Sequence, residues 1–282
     1  MKLLRFGPPG AEKPGMLDDS GTVRDLSGTV ADWSGGALSP ASLAAVSRLD
    51  PASLSAVAPD TRLGPPVAGM RNFVCIGLNY ADHAAETGLP IPTEPIVFLK
   101  SLGALSGPDD DVVIPRGSTK TDWEVELAVV IGTLARDVPE AEAMAHVAGY
   151  TICNDVSERE WQIERGGTWD KGKGADTFGP LGPWLVTADE VPDPQDLALW
   201  LELDGERVQD GSTRTMVFGV RHLVSYVSRF ITLHPGDVIS TGTPPGVGMG
   251  MKPPCYLRSG QTMRLGIAGL GEQTQRTVAY GG

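Results

Sequence analysis

The sequence predicts an α+β architecture that is mainly β, and three observations point there. Many short apolar segments are punctuated by turn residues, with 36 glycines and 23 prolines in 282 residues. The clearest of these segments alternates between two faces over nine residues, as a strand does. Helical patterns are interspersed among the strands without the strict alternation of a doubly wound sheet.

The elements follow in chain order. Lys2–Phe6 and Thr22–Leu26 read as short strands, with an Asp18-Asp19-Ser20-Gly21 turn before the second. Ser39-Pro40 opens a helix, since serine is a good N-cap and proline is tolerated in the first turn. That helix stops before Asp50-Pro51, because the residue preceding a proline is pushed out of the helical region. Gly64-Pro65-Pro66 reads as a linker. Residues 1–68 are therefore expected to form a small N-terminal α/β domain, and residues 69–282 the main domain. In the main domain Asn72–Ile76, Trp123–Ile131 and Gly149–Cys153 are strands. Leu197–Leu203 runs into Asp204-Gly205, a hairpin signal. Phe218–Ile231 carries Val220, Leu223, Val224, Val227 and Ile231 at helical spacing. Asp237–Thr241, Thr262–Ile267 and Thr274–Tyr280 read as late strands.

Composition removes several function classes. The formal net charge of −12 is the wrong sign for a non-specific nucleic-acid binder, which needs a basic surface to displace counterions. No run of eighteen apolar residues is present, so no membrane span is expected. Met1–Gly7 lacks the apolar stretch of a signal peptide, which places the chain in the cytoplasm. Cys75, Cys153 and Cys255 are far apart and form no CxxC pair, so a thiolate zinc site is not expected. Cys75 and Cys153 lie in apolar runs and read as ordinary buried residues.

The carboxylates carry the chemistry. On a strand over Trp123–Ile131, Trp123, Val125, Leu127, Val129 and Ile131 share one face, and Glu124 and Glu126 share the other, about 7 Å apart. Two anions on a strand that continues as Ala-Val-Val-Ile call for positive charge, from an arginine or lysine or from a metal ion. Thr151–Asp155 is a second apolar strand that ends in a carboxylate, and Ser157–Glu160 reads as the start of a helix. Asp155 or Ser157 would cap that helix, or Asp155 would join Glu124 and Glu126 in an all-oxygen site suited to Mg²⁺ or Mn²⁺.

Four further features have both a plain and a functional reading. His83 and Glu86 are three residues apart, hence neighbours on a helix. They would form either a solvated face or a carboxylate-oriented general base. Thr87–Pro95 is rich in proline and would form a flap over a cleft. Lys171-Gly172-Lys173-Gly174 is either a basic turn or the source of one lysine that stabilises developing negative charge. Ser240–Gly248 ends a strand in a glycine–proline loop that is either a plain structural turn or one whose amides, with the Thr243 hydroxyl, would bind a carboxylate or an oxyanion. That loop lacks the lysine of a P-loop, and no G-x-S-x-G elbow is present.

Six ordered blocks, IGLNYADHAAE, PIVFLKS, TDWEVELAVVIG, GYTICNDVSEREWQ, KGKGADTFGPLGPW and STGTPPGVG, resemble the fumarylacetoacetate hydrolase family from about Met70 to about Tyr280. The resemblance implies a mixed β-roll catalytic domain, usually in a homodimer. It implies that Glu124, Glu126 and Asp155 bind Mg²⁺ or Mn²⁺, that His83 and Glu86 are the water-activating dyad on a mobile lid, and that Lys173 is the active-site lysine. Tyr80, Arg159, Gln162 and Thr243 match positions that line the pocket. The N-terminal segment is similar to that of hydrolases acting on 2,4-diketo-3-deoxy-L-rhamnonate or L-fuconate. The activity this implies is metal-dependent cleavage of the C3–C4 bond of a small-molecule 2,4-diketo acid, giving pyruvate and, from these substrates, lactate. Oxaloacetate decarboxylation, or hydrolysis or isomerisation of another acylpyruvate, is the alternative within the family. A sugar-acid-binding protein that keeps a metal for stability is the alternative outside it.

Overall fold

The computed structural model describes residues 1–82, 86 and 90–281. The N-terminal part supplies β1 (Lys2–Phe6), β2 (Lys13–Leu17), β3 (Val23–Asp25), helix α1 (Pro40–Val46) and β4 (Leu63–Gly64). There follow β5 (Phe73–Gly77), β6 (Ile96–Leu99), β7 (Leu105–Ser106), β8 (Val112–Ile114), β9 (Thr121–Asp122), β10 (Val125–Ile131), β11 (Val147–Asn154) and β12 (Ser157–Glu158). A single turn, α2 (Asp170–Lys173), precedes β13 (Gly179–Thr187), β14 (Ala198–Leu203) and β15 (Glu206–Ser212). Helix α3 (Val220–Ser228), β16 (Val238–Ser240), β17 (Thr262–Ile267) and β18 (Gly271–Ala279) complete the chain. The mainly β expectation holds. Among the described residues no helix is long and apolar enough to cross a membrane.

An eleven-stranded mixed sheet runs β3-β2-β1-β13-β11-β10-β16-β5-β6, with β4 beside β1 and β7 beside β13. A five-stranded sheet runs β15-β14-β17-β18-β8. Strand β10 is central because both of its faces are apolar enough to bury. Val125, Leu127, Val129 and Ile131 pack with Leu199, Leu201 and Leu265 of the smaller sheet and with Leu223, Val224 and Val227 of α3. Ala128 and Val130, on the opposite face, pack with Leu3, Trp33, Leu38 and Phe73. Each face thus removes a continuous apolar strip from water. Helix α1 starts as expected, with the Ser39 side chain accepting from Ser42 N and Pro40 in the first turn.

Three expectations need correction. Gly64-Pro65-Pro66 is not a free linker: Leu63 and Gly64 pair with Phe6 and Arg5, and residues 64–67 are buried. Strand β1 also pairs antiparallel with β13, so the boundary expected near residue 68 falls inside one continuous sheet. The strand expected over Trp123–Ile131 is present but begins two residues later, at Val125, and the preceding Thr121 and Asp122 pair separately with Glu158 and Ser157. Finally, Ser157–Glu160 does not open an α-helix. Ser157 and Glu158 are extended, the Glu158 carboxylate accepts from Glu160 N at 3.2 Å, and a wide π-type turn spans Glu160–Glu164. The side chain that competes for backbone amides here is Glu158 rather than an N-cap at Ser157.

Candidate metal centre

The ends of β5, β10, β11 and β16 meet at one edge of the large sheet, because β10 is antiparallel to β11 and β16 while β5 is parallel to β16. This topology brings Glu124 and Glu126, at the start of β10, together with Asp155, the residue after β11. Asp155 N donates to the Glu124 carbonyl at 2.9 Å, so the two chains are locked in register. Glu124, Glu126 and Asp155 are all buried, and each offers one carboxylate oxygen within 4.8 Å of the others.

Three cations answer part of this charge. Lys173 Nζ donates to Glu124 Oε2 at 2.6 Å and to Asp155 Oδ2 at 2.8 Å. Arg159 Nη1 lies 2.8 Å from Glu124 Oε1, and its Nε donates to Asp122 Oδ2 at 2.8 Å. Lys100 Nζ lies 2.6 Å from Asp155 Oδ1, but its donated hydrogen bonds run to the carbonyls of Val156, Lys173 and Phe178. Asp155 Oδ1 is accordingly a buried oxygen that accepts no hydrogen bond among the described residues. Glu126 is treated differently. Its Oε2 accepts from Ser240 Oγ at 2.5 Å and from Gly242 N at 3.0 Å. Burial above all, then Asp155 and Glu124, push its carboxyl well above the ordinary range. Lys173 is the reverse case: burial opposes its charge, yet Asp155 and Glu124 outweigh burial and hold the ammonium above the usual lysine range.

The donor set fits a hard divalent cation. It is all oxygen, it carries three carboxylates, and one of its buried oxygens still lacks a hydrogen bond. The sequence left arginine or lysine and metal as alternatives, and the cations on Glu124 and Asp155 do not exclude a metal beside Glu126.

Lys173, Arg159, Gln162 and Thr243 line one cavity with the three carboxylates. Arg159 Nη1 also donates to Gln162 Oε1 at 3.0 Å, while its buried Nη2 finds no acceptor among the described residues. Thr243 Oγ1 donates to the Val125 carbonyl at 2.9 Å. Tyr80 is not among the lining residues. It is fully buried in the core, with a hydroxyl that has no hydrogen-bond partner among the described residues. Glu86 sits against the glycine–proline loop and accepts from Gly246 N at 3.0 Å. Gly246 allows that loop to close: its φ is +103°, and a Cβ there would fall 1.9 Å from the Val208 carbonyl oxygen. His83 lies outside the described residues. The loop amides do bind carboxylates, but those of the protein itself: Gly242 N on Glu126, Gly246 N on Glu86, and Gly248 N and Met249 N on Asp122.

Residues 72–278 match the fumarylacetoacetate (FAA) hydrolase C-terminal family. The chain belongs to the fumarylacetoacetate hydrolase family. A relative from Burkholderia orbicola, whose name says no more than hydrolase, is 64% identical over 278 residues, covering 98% of this chain and 99% of that protein. Among solved structures, a fumarylacetoacetate hydrolase from Exiguobacterium antarcticum aligns with a TM-score of 0.86 at 36% identity, over 99% of each chain. A 5-carboxymethyl-2-hydroxymuconate delta-isomerase from Mycobacterium smegmatis aligns at 0.79 and 33% over the whole of both chains. A maleylpyruvate hydrolase from Sphingobium sp. SYK-6, solved with manganese(II) and pyruvate, aligns at 0.82 and 27% over 99% of each.

Several residues that build the site in this fumarylacetoacetate hydrolase family member gave no signal in the sequence. Lys100 and Asp122 belong to recognisable blocks, but nothing local announces a buried cation beside Asp155 or a carboxylate beneath Arg159. Gln209, on β15 of the smaller sheet, is fully buried. Its Oε1 accepts from Val125 N at 3.0 Å, and its Nε2 donates to Thr243 Oγ1 at 2.8 Å and to the Pro244 carbonyl at 2.9 Å. With Thr243 on the Val125 carbonyl, a closed ring satisfies both polar groups of the peptide residue between Glu124 and Glu126. Strand β16 ends too early to do so. Asn154 does the same one residue earlier, its Oδ1 accepting from Glu124 N at 3.1 Å.

Proposed function

We propose that the protein hydrolyses the C3–C4 bond of a small 2,4-diketo acid, releasing pyruvate. The observation that carries this reading is the buried carboxylate triad Glu124, Glu126 and Asp155 with its all-oxygen donor set. Mg²⁺ or Mn²⁺ held by these residues would supply Lewis-acid polarisation of a keto oxygen. The chain's own residues have distinct tasks. Arg159 Nη2, which has no acceptor among the described residues, donates to the substrate carboxylate. Lys173, kept cationic by Asp155 and Glu124, places positive charge beside the oxygen on which the pyruvate enolate develops. In this reading His83, oriented by Glu86, takes a proton from water. The water oxygen bonds to C4, the C3–C4 bond breaks, and C3 is then protonated to give pyruvate.

Resemblance of the N-terminal segment favours 2,4-diketo-3-deoxy-L-rhamnonate or L-fuconate, with lactate as the second product, and the family resemblance of the catalytic domain favours a homodimer as the working form. Metal-stripped protein incubated with the rhamnonate compound should release pyruvate and lactate in equal amounts only after Mg²⁺ or Mn²⁺ is restored. Release of neither, with turnover of oxaloacetate instead, would replace hydrolysis by decarboxylation, which needs no attacking water. The isomerase among the structural neighbours makes isomerisation of an unsaturated keto acid the third outcome to assay.

A further inference from the structure

We propose that Trp169, seated on Gly77, is the residue that limits the length of the acyl group at C4; this rests on the hydrolase reading above. The cavity beside the carboxylates is small, about 70 Å³, where pockets for small molecules usually run to roughly 300–1,000 Å³. Part of its wall is aromatic. The Phe98 ring lies 5.4 Å from Lys173 Nζ, and Trp169 meets Phe98 edge-on, with centroids 5.4 Å apart and planes at 64°. The wall therefore begins beside the lysine, one ring away from where the reacting carbons must lie.

Trp169 cannot move closer to β5. A Cβ on Gly77 would fall 2.2 Å from the Trp169 ring carbon Cζ3, so the indole already lies on bare backbone at the end of β5, a contact only glycine permits. The chain that follows the indole is tied twice. Gly172 N donates to the Trp169 carbonyl at 2.9 Å, and the Asp170 carboxylate accepts from Leu99 N on β6 at 3.2 Å. Trp169 and Lys173 share this one turn, so the indole is fixed relative to the charged cluster. A head group held by Arg159 and Lys173 directs its C4 substituent at this wall, and the room left suits a short acyl group such as acetyl or lactoyl.

The test is a series of acylpyruvates with acetyl, butanoyl, hexanoyl and benzoyl groups, assayed for pyruvate release with Mg²⁺ by the wild-type chain, Trp169→Ala and Trp169→Phe. Wild-type kcat/KM should fall as the acyl group grows. In Trp169→Ala the ratio of hexanoyl to acetyl kcat/KM should rise by on the order of tenfold or more, the scale of a few methylenes in a shaped pocket. Trp169→Phe should lie between. The ratio within one variant does not depend on how much of it is folded, so a merely structural loss leaves the ratio unchanged. Parallel loss on all four compounds, or a flat wild-type profile, overturns the sizing role and leaves the hydrolase reading in place. Pyruvate from none of the four compounds with the wild-type chain overturns the sizing role, and the hydrolase reading falls with it only if the rhamnonate compound also releases none.

Discussion

Glu124 and Glu126 leave the same strand two residues apart, and the protein neutralises them by opposite means. Glu124 has two cations on its oxygens, Lys173 and Arg159. Glu126 has a serine hydroxyl and a backbone amide, and burial weighs against its charged form. One half of the cluster is balanced by cationic side chains that belong to the fold, and the other has only hydrogen-bond donors, with burial weighing against its ionisation. The contrast shows where an added cation is most needed: near Glu126, on the side of the cluster that the lysines and the arginine do not cover.

Exchanging the two residues in turn separates these roles. Glu126→Gln should produce the largest effect. Metal-dependent pyruvate release should fall by at least about a hundredfold, and Mn²⁺ affinity measured by titration should fall with it. The melting temperature of the metal-free protein should hold or rise, since a destabilising charge is gone. If that melting temperature drops steeply, Glu126 is structurally paired and the contrast fails. Glu124→Gln should instead destabilise the metal-free protein by about 3 kcal/mol, read from denaturant unfolding, because Lys173 and Arg159 are left as partly uncompensated buried charges. Gln209→Leu should cost about 1–3 kcal/mol, since the Val125 amide is left without a partner. It should also weaken Mn²⁺ binding on the order of tenfold by loosening both glutamates at once. An unchanged Mn²⁺ titration would reduce the Gln209 ring to a purely structural role.

The smallest effect comes from a carboxylate remote from both halves. Asp109 is raised above its ordinary value mainly by burial, with Thr274 N donating to it. Between the unfolded value of 3.8 and the raised folded one, the native state binds the extra proton, so stability falls as pH rises through that window. Asp109→Asn should flatten this part of the stability profile and leave the Mn²⁺ titration untouched. A change in metal affinity would show that the cluster is sensitive to charge well beyond its own residues.

Strands with a regular apolar pattern were legible in the sequence. Lys2–Phe6 and Thr262–Ile267 appear with the expected bounds, and Asp204-Gly205 turns the hairpin between β14 and β15. Strand β13 escaped notice because Gly179-Pro180-Leu181-Gly182-Pro183 reads as a breaker, yet it holds together β1, β7 and β11. Propensity is a local quantity, and this strand is specified by its neighbours. The triad was legible as spacing on two strands, because alternation places Glu124 and Glu126 on one face. Its cations were not legible from spacing: Lys173 and Arg159 came only through the family resemblance and Lys100 not at all, because these side chains reach Glu124 or Asp155 through the crossing of distant segments. Gln209 is the extreme case, an amide from another sheet standing in for a strand that is not there.

The turn that carries Trp169 also carries Lys173. A lineage that widened the pocket by rebuilding that turn would disturb the charge balance of the centre in the same step, so most such changes would be purged before a new substrate could be explored. Changes at Phe98 or Ile163, which line the same cavity from other segments, leave the lysine in place. Diversification of substrate among relatives should therefore be concentrated at those positions, with the tryptophan and the lysine inherited together or lost together.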